Sequence, residues 1–277
     1  MNRFSKFVSI ILVLAALFSF TACDLLYIPV FGDTESVEPP KTLPPETETA
    51  ETEPQETEPP VPTKKVALTF DDGPAFDNSD FQRLTYKLVD KLAEHGGEAT
   101  FFLVGNRINK TTGEAIKYAA EHGCEIGIHA YTHDYNFSTC DYGTFTSELE
   151  RTKSEIEKYS GKKVTLFRPP YGSITKSRAV DSGYPIILWN LDSEDWRYKS
   201  RPDTATATKN IETIVDITLT QVEDGDIILM HEIYRNSYEA ACIVIDTLAA
   251  EGYEFVTVTE LIGEENLNVG ETYYSAK

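Results

Sequence analysis

Two adjacent carboxylates at the end of an apolar run offer the first chemistry in this sequence. Residues 66–70 are apolar apart from Thr69, and Asp71-Asp72-Gly73-Pro74 follows at once. We expect a strand that ends in a turn, because Gly and Pro favour turns. Since side chains alternate faces along a strand, the two aspartates should face different surroundings. One can bind a cation while the other handles a proton, although Asp-Asp-Gly-Pro taken alone is also an ordinary surface turn.

Two histidines with the spacing of metal ligands lie further along the chain. His129 and His133 are four residues apart. Together with a carboxylate from the first predicted strand they would form a set of two histidines and one carboxylate, which leaves coordination positions for water and substrate. A single histidine is more often structural than a ligand, so this interpretation depends on the fold bringing the three side chains together.

The elements that must position these residues alternate between short apolar runs and longer amphipathic ones. This order predicts an α/β fold with a parallel sheet. The predicted strands are Lys65–Phe70, Glu98–Val104, Glu125–His129, Val164–Phe167, Pro185–Trp189, Asp226–Met230 and Glu254–Val258. The predicted helices lie near 80–94, 112–122, 142–159, 175–182, 208–222 and 237–250, with glycines at their ends. Such a series indicates an incomplete barrel. A doubly wound open sheet is the alternative, weakened because no Gly-x-Gly-x-x-Gly follows the first strand.

Polar residues fall at the carboxyl ends of five predicted strands. In a (β/α) barrel these ends meet on one rim, where such folds place their active sites. Any one piece could be chance, but five in phase indicate one pocket. The pieces are Asp71-Asp72, the segment His129–His133, Arg168-Pro-Pro-Tyr171-Gly172, Asp192-Ser-Glu-Asp195-Trp196 and His231-Glu232.

These pieces, taken in order, resemble the motifs of a known family. The blocks are Thr-Phe-Asp-Asp-Gly-Pro, His-x-x-x-His, Arg-Pro-Pro-Tyr-Gly, Asp-x-x-Asp-Trp and Leu-Met-His, spread over residues 64–263. As a set they are similar to the five motifs of the polysaccharide deacetylases, carbohydrate esterase family four or the NodB-homology domain. The resemblance implies a distorted, incomplete (β/α) barrel of about seven parallel strands, with the catalytic rim at the strand C-terminal ends.

The resemblance also implies a metal site and a general base. Asp72, His129 and His133 would bind a divalent metal, usually zinc, with cobalt, manganese, nickel or iron as alternatives. Asp71 would take a proton from the attacking water, and Arg168 would hold Asp71 ionised and oriented. From the residues alone, either aspartate could take either role.

Further roles follow from the same resemblance. The backbone N–H of Tyr171 would stabilise the developing oxyanion, His231 would protonate the leaving amine, and Asp192 would pair with His231. The walls of the substrate pocket would be Trp196, Leu229 and Pro170. Ordinary core packing is the alternative for Trp196 and Leu229.

One residue departs from the family pattern. Members of the family usually carry Ser or Thr after the first metal histidine, where this chain has Ala130. That hydroxyl normally ties down the loop that carries the ligands, so weaker order and lower metal affinity are expected here. Glu194 and Glu232 are interpreted as solvated rim residues.

The N-terminus predicts export. Arg3 and Lys6 precede an apolar run at 7–20, and Thr-Ala-Cys23 follows. Residues 1–22 are therefore interpreted as a signal peptide, too short for an ordinary membrane span. Small residues before Cys23 resemble a lipobox, so we expect lipidation of Cys23 and anchoring to the outer face of a bacterial membrane. Phe20 stands where Leu is usual, and simple secretion is the alternative.

The segment after Cys23 resembles a stalk. Between 33 and 63 there are nine acids against one Lys, and eight prolines. Such a stretch cannot bury a core, so we expect residues 23–63 to be a disordered spacer. The catalytic domain is expected to cover 64–263. Residues 264–277 are expected to form a tail in which Tyr273 and Tyr274 could pack back on the barrel.

Charge and cysteine usage narrow the function. The net charge of −20 argues against nucleic acid as a partner and favours a neutral or cationic substrate. Beyond Cys23 there are three cysteines without Cys-x-x-Cys spacing, which favours free thiols; a bridge between Cys124 and Cys140 is the alternative.

These observations together predict a monomeric, surface-anchored, metal-dependent hydrolase. It would remove N-acetyl groups from N-acetylglucosamine units of a cell-surface polysaccharide, with peptidoglycan first. Chitooligosaccharide, acetylxylan or an exopolysaccharide are competing substrates, because the motifs specify the reaction rather than the glycan. A non-catalytic glycan-binding lipoprotein and an iron-dependent oxygenase are the alternatives of other classes.

Overall fold

The structure, a computed structural model, describes residues 63–75, 83–199 and 204–277. The predicted signal peptide, Cys23 and nearly all of the predicted stalk lie outside these residues. Within the three described ranges, no helix combines the length and the apolar character needed to cross a membrane.

Eight strands and seven α-helices alternate along the described residues. The strands are β1 (Lys64–Gly73), β2 (Thr100–Leu103), β3 (Glu125–Ile128), β4 (Ile186–Ile187), β5 (Leu191–Asp192), β6 (Ile227–Met230), β7 (Tyr253–Phe255) and β8 (Thr272–Tyr273). The helices are α1 (Leu84–Ala93), α2 (Lys110–Glu121), α3 (Tyr142–Ser160), α4 (Lys176–Asp181), α5 (Thr204–Leu219), α6 (Arg235–Ala250) and α7 (Val258–Ile262).

The strands form a parallel sheet centred on β1. The main sheet has the order β3-β2-β1-β6-β5, and β7 pairs with the beginning of β1. A second, two-stranded sheet joins β4 to β8. Single parallel bridges from Phe167 to Ile128 and Ile186 connect the two sheets, which do not close into a complete barrel. The predicted α/β fold with an incomplete parallel barrel is confirmed.

The core explains why β1 lies at the centre. Its residues 66–71 are buried without a break, as expected for a parallel strand covered on both faces. Helix α1 packs with the buried residues Leu84, Leu88 and Leu92, one per helical turn. The rings of Phe70 and Phe101 stack with centroids 5.3 Å apart, joining β1 to β2. The strand end that carries the two aspartates therefore extends from the most buried part of the sheet.

Several predicted boundaries differ from those observed. The predicted strand Val164–Phe167 is reduced to the two bridges of Phe167. The last predicted strand ends at Phe255, because Thr257 caps α7 by accepting a hydrogen bond from the N–H of Glu260. Strands β5 and β8 were not predicted, since two residues carry no periodicity.

The C-terminal segment is part of the sheet. Residues 272–273 pair with β4 through β8, which confirms that Tyr273 packs back on the barrel. Lys277 Nζ lies 2.7 Å from carboxylate oxygens of Glu223 and of Asp226. The last residues thus close off the sheet beside β4 rather than forming a free tail. Cys124, Cys140 and Cys242 are free thiols, so the alternative bridge does not form.

Candidate active site

Asp71 is held by a buried arginine. The Arg168 guanidinium is fully buried and its Nη1 donates to Asp71 Oδ1 at 2.8 Å and to Thr69 Oγ1 at 2.7 Å. The other guanidinium nitrogens donate to the carbonyl oxygens of Ile187 and Leu188 at 3.0 and 2.9 Å. Four hydrogen bonds fix this side chain, so the Asp71 carboxylate has one defined orientation. Burial lowers the pKa of Arg168, against the opposing effect of Asp71.

An irregularity in β1 separates the two aspartates. The pairing of β1 with β2 shifts register between Asp71 and Gly73, and Asp72 has a φ of 70°. Such a bulge re-aims a side chain at the end of a strand. The Arg107 guanidinium donates to the carbonyl oxygen of Asp72 and holds the bulge. As a result Asp71 pairs with Arg168 through Oδ1, with its Oδ2 3.7 Å from His129 Nε2, while only Asp72 lies close to both histidines, a division that the sequence left open.

Asp72, His129 and His133 form a cluster that could hold a metal ion. Asp72 Oδ1 lies 3.6 Å from His129 Nε2 and 3.1 Å from His133 Nε2, and the candidate ligand atoms lie within 4.8 Å of one another. Asp72 Oδ1 is buried and accepts no hydrogen bond from the described residues. A buried carboxylate oxygen without a donor, facing two imidazole nitrogens, fits a bound divalent cation.

Hydrogen bonding and charge prepare the cluster for a cation. His129 Nδ1 lies 2.7 Å from the carbonyl oxygen of Arg168. That contact requires the proton on Nδ1 and leaves Nε2 as the free donor of an electron pair. Burial lowers the pKa of His129 despite the negative charges of Asp71 and Asp72, which favours the neutral ring. Burial would raise the pKa of Asp72, but the nearby side chains of His129, His133, His231 and Arg107 lower it overall.

His231 is paired with Asp195. Its Nδ1 lies 2.8 Å from Asp195 Oδ1, and its backbone N–H donates to Asp195 Oδ2 at 2.7 Å. Burial would lower the pKa of His231, but the charge and hydrogen bond of fully buried Asp195 raise it to about 9, with smaller contributions from Asp71 and Asp72. His231 is therefore protonated at neutral pH.

The predicted pairing of Asp192 with His231 is wrong. Asp192 Oδ1 instead accepts the backbone N–H of Glu194 at 2.8 Å, closing the turn after β5. Glu194 has a φ of 56°, and this left-handed residue bends the chain so that the next residue, Asp195, points back at His231. Both aspartates belong to the same motif, and only the turn geometry decides between them. Asp192 still lines the pocket.

Nine of the predicted site residues line one pocket of about 490 Å³. Its lining includes Asp71, Asp72, His129, His133, Tyr171, Asp192, Trp196, Leu229 and His231. Trp196 is 42% exposed, which excludes ordinary core packing for this side chain. Pro170 is buried at the start of the short turn Pro170–Gly172 that presents Tyr171, outside the lining. Trp189, Lys199 and Tyr234 also line the pocket and were not predicted, since no motif spacing marks them.

Backbone strain concentrates at this pocket. Six non-glycine residues in the described ranges have positive φ, and five of them lie in the motifs of the rim: Asp72, Ala130, His133, Tyr171 and Glu194. Such conformations cost of order 1–3 kcal/mol each and persist where the surroundings enforce them.

Glu232 is not a solvated rim residue. Its side chain is fully buried, with Oε1 3.5 Å from Thr85 Oγ1. A Cβ on Gly73 would lie 2.0 Å from Glu232 Oε1, so a larger residue beneath the bulge of β1 would require the Glu232 side chain to move. Burial and, to a smaller extent, the charge of Asp72 raise the pKa of Glu232 to about 8. The prediction failed because a single Glu after a histidine carries no sign of burial.

The fold and the site together define an α/β protein with a two-histidine, one-carboxylate cluster, an arginine-held aspartate and an aspartate-paired histidine around one pocket. A model of the family "Polysaccharide deacetylase" matches residues 58–185. The chain is 33% identical over 211 residues to the peptidoglycan-N-acetylglucosamine deacetylase PgdA of Listeria monocytogenes, covering 76% of this chain and 41% of PgdA. The chain therefore spans less than half of that relative.

Two solved structures are similar to this one. The structure of the peptidoglycan deacetylase PdaC from Bacillus subtilis has a TM-score of 0.64 at 35% identity, covering 74% of this chain and 91% of that one. A family 4 acetyl xylan esterase from Clostridium thermocellum, in complex with cobalt, has a TM-score of 0.65 at 31% identity, covering 76% and 98%. The chain belongs to the polysaccharide deacetylase family.

Proposed function

We propose that the chain is a metal-dependent hydrolase that removes N-acetyl groups from N-acetylglucosamine units of a cell-surface polysaccharide, with peptidoglycan as the leading substrate. The observation that carries the proposal is the pocket itself. A held carboxylate, Asp71, and a protonated imidazole, His231, line the same cavity as the cluster of Asp72, His129 and His133. A base, an acid and a cation site in one pocket suit the hydrolysis of an amide.

Asp72, His129 and His133 would hold the cation, and the related esterase, whose structure is a complex with cobalt, supports a metal ion as part of the proposal. Once bound, such a cation makes water acidic near neutral pH and polarises a carbonyl group. Zinc suits ligands of this kind best, and cobalt, manganese, nickel and iron share their preferences.

The chain's own residues would carry the remaining steps. Asp71 accepts the proton of the attacking water, whose oxygen forms the new bond to the acetyl carbon. The backbone N–H of Tyr171 donates to the carbonyl oxygen as negative charge develops there. His231 gives its proton to the nitrogen as the C–N bond breaks, so acetate and a free amine are released. Asp195 keeps His231 protonated and oriented until that step.

The choice of glycan is supported by the relatives. PgdA is named a peptidoglycan-N-acetylglucosamine deacetylase, and PdaC a peptidoglycan deacetylase. The related acetyl xylan esterase makes acetylxylan a competing substrate, as are chitooligosaccharides and exopolysaccharides. Export, lipidation of Cys23, anchoring by the 23–63 stalk and the monomeric state belong to the same proposal. The leader, Cys23 and the acidic, proline-rich segment support export and anchoring, which would put the enzyme next to the cell wall.

Acetate release from peptidoglycan, chitin oligomers and acetylxylan tests the proposal. We expect the purified chain to release acetate from N-acetylglucosamine units, to lose this activity to a chelator and to regain it with zinc. Asp71→Asn should reduce the rate by at least about 100-fold, because it removes the base and keeps the shape. Full activity of Asp71→Asn contradicts the mechanism. A metal-loaded protein that binds glycan without releasing acetate favours the non-catalytic alternative.

A further inference from the structure

The loop that carries both histidines is held by a glutamate from a neighbouring helix. We call residues 129–133 the ligand loop. Glu148 of α3 is buried, and its Oε2 accepts the backbone N–H of Tyr131 at 2.9 Å, the backbone N–H of Thr132 at 2.7 Å and the Thr132 hydroxyl at 3.0 Å. One carboxylate oxygen therefore receives three donors from the middle of the ligand loop.

The ligand loop needs such support. Ala130 and His133 both have positive φ, 66° and 57°, so two of its five residues are in an unfavourable conformation. On the opposite side the loop is held at His129, whose backbone N–H donates to the carbonyl oxygen of Leu103, and by two carbonyl oxygens: Ala130 accepts from Gly105 N and Tyr131 from Asn106 N. The backbone N–H groups of Tyr131 and Thr132 point to α3, and Glu148 satisfies both.

We propose that Glu148 is a positioning residue for the metal site. Members of the family usually have a hydroxyl side chain at the position of Ala130, and Glu148 replaces its function of holding the loop. Because Ala130 lacks that hydroxyl, the sequence predicts a loosely ordered ligand loop. A carboxylate with three short hydrogen bonds is a stronger tie than a single hydroxyl, since charge-assisted bonds are roughly twice as strong as neutral ones. The inference rests on the metal site of the proposed function.

Zinc binding to the purified chain tests this role without relying on activity. Calorimetric zinc titration and melting curves with and without zinc are compared for the parent, Glu148→Ala, Glu148→Gln and a control, Glu150→Ala. Glu150 lies on the same helix, and its carboxylate is exposed, 3.6 Å from Lys153 Nζ. We expect zinc affinity to fall about 10- to 100-fold in Glu148→Ala, the usual range for residues that support metal ligands. Glu148→Gln, which keeps an oxygen acceptor, should lose much less, and Glu150→Ala should match the parent.

The melting curves separate positioning from general stability. A purely structural Glu148 would lower the melting temperature of the metal-free and zinc-bound protein equally. Positioning makes the zinc-induced increase smaller in Glu148→Ala. If Glu148→Ala does not fold, Thr132→Ala, which removes one of the three contacts, should still bind zinc more weakly than the parent. Parent-like zinc affinity in these variants overturns the inference. A parent chain that binds no zinc overturns the proposed metal site itself.

A separate observation concerns exposed aromatic rings outside the metal cluster. The ring of His133 contacts that of Tyr171 at 4.6 Å between centroids, and Tyr171 contacts Tyr135 at 5.6 Å. Tyr171 is 58% exposed and Tyr135 is 81% exposed. Tyr171 lines the pocket, so the two tyrosines form a continuous aromatic surface, the tyrosine shelf, that extends from the pocket to its outside.

We infer that the tyrosine shelf binds the sugar unit next to the one in the pocket. Large exposed aromatic side chains beside a cleft mark an interaction surface. A neutral pyranose presents an apolar C–H face that packs on an aromatic ring, while its hydroxyls stay in water. The acidic charge of the chain favours such a neutral ligand over a polyanion.

This second inference also rests on the proposed function, and chain length tests it. Acetate release is measured on single N-acetylglucosamine and on its tetramer for the parent, Tyr135→Ala, Tyr135→Phe and a control, Tyr142→Ala, at an exposed tyrosine outside the pocket lining. Tyr135→Ala should lower kcat/KM about three- to tenfold on the tetramer only, the range of one aromatic contact. Tyr135→Phe keeps the ring and should match the parent.

The outcomes separate the shelf from the reaction. Equal loss on both substrates, or no loss on the tetramer, overturns the shelf. No acetate release by the parent on any glycan overturns the proposed function instead.

Discussion

Replacing Glu232 with glutamine should stabilise the protein, increasingly so as the pH rises. Glu232 is fully buried after β6, against Gly73, and its Oε2 has no hydrogen-bond donor among the described residues. Burial raises the pKa of Glu232 to about 8, and the charges of His231 and Arg107 offset this only in part. In the folded protein the carboxyl group therefore keeps its proton at neutral pH.

The size of this stabilisation follows from the protonation equilibria of Glu232 in the folded and the unfolded protein. In the unfolded chain this glutamate titrates near its ordinary value of 4.5. Between pH 4.5 and about 8 the unfolded state has lost the proton that the folded state retains, so the free energy of unfolding falls by about 1.4 kcal/mol per pH unit. The penalty is absent below pH 4.5 and reaches at most about 5 kcal/mol at pH 8. Glutamine has the same shape and no proton to lose, so Glu232→Gln removes this dependence of the unfolding free energy on pH.

Urea unfolding at pH 5, 6, 7 and 8, with a chelator in every sample, measures the effect. The variant should exceed the parent by no more than about 1 kcal/mol at pH 5 and by several kcal/mol at pH 8. The control is Glu251→Gln, at an exposed position after α6, where the difference should stay within about 0.5 kcal/mol throughout. A variant that differs from the parent by the same amount at every pH, or that is less stable at pH 8, refutes a protonated Glu232.

Two further predictions concern the catalytic residues. Activity should decline at alkaline pH as His231, with a pKa of about 9, loses its proton. Asp195→Asn should move this alkaline limb to lower pH by about 1–3 units, and Asp192→Asn should move it less, in pH–rate profiles of acetate release; the reverse order would contradict the observed pairing. Arg168→Lys keeps a charge but cannot reproduce four hydrogen bonds, so the free energy of unfolding should fall by about 3 kcal/mol or more in urea titrations. The kcat of Arg168→Lys should also fall, because Asp71 loses its orientation. An unfolding free energy within about 0.5 kcal/mol of the parent would show that the guanidinium geometry is not needed.

The order of elements could be predicted because it depends on local patterns. Helix α3 was expected at 142–159 and observed at Tyr142–Ser160, since a long amphipathic run ends at Gly161, which takes a φ of 66°. Strands β5 and β8 could not be found, because two residues contain no period and their pairing partners lie far along the chain.

The partners within the site depended on turns that the sequence does not specify. Asp192 and Asp195 have the same chemistry and lie three residues apart, and the left-handed turn at Glu194 alone directs Asp195 to His231. Glu148 has no motif, and its role became visible only when α3 was packed against the ligand loop. Burial of Glu232 was missed for the same reason, because it results from contact with Gly73 in a distant strand.

The sequence by itself determined the order of the longer strands and helices, the motifs at the strand ends and hence the family and most of the residues that line the pocket. These depend on local propensity and on residue types in a fixed order. The tertiary structure decided which aspartate meets the histidines, which carboxylate pairs with His231, and what holds the ligand loop. Those choices are made by bulges, left-handed turns and contacts between distant elements. Their free energy depends on distances of a few tenths of an ångström, which only the packed chain defines.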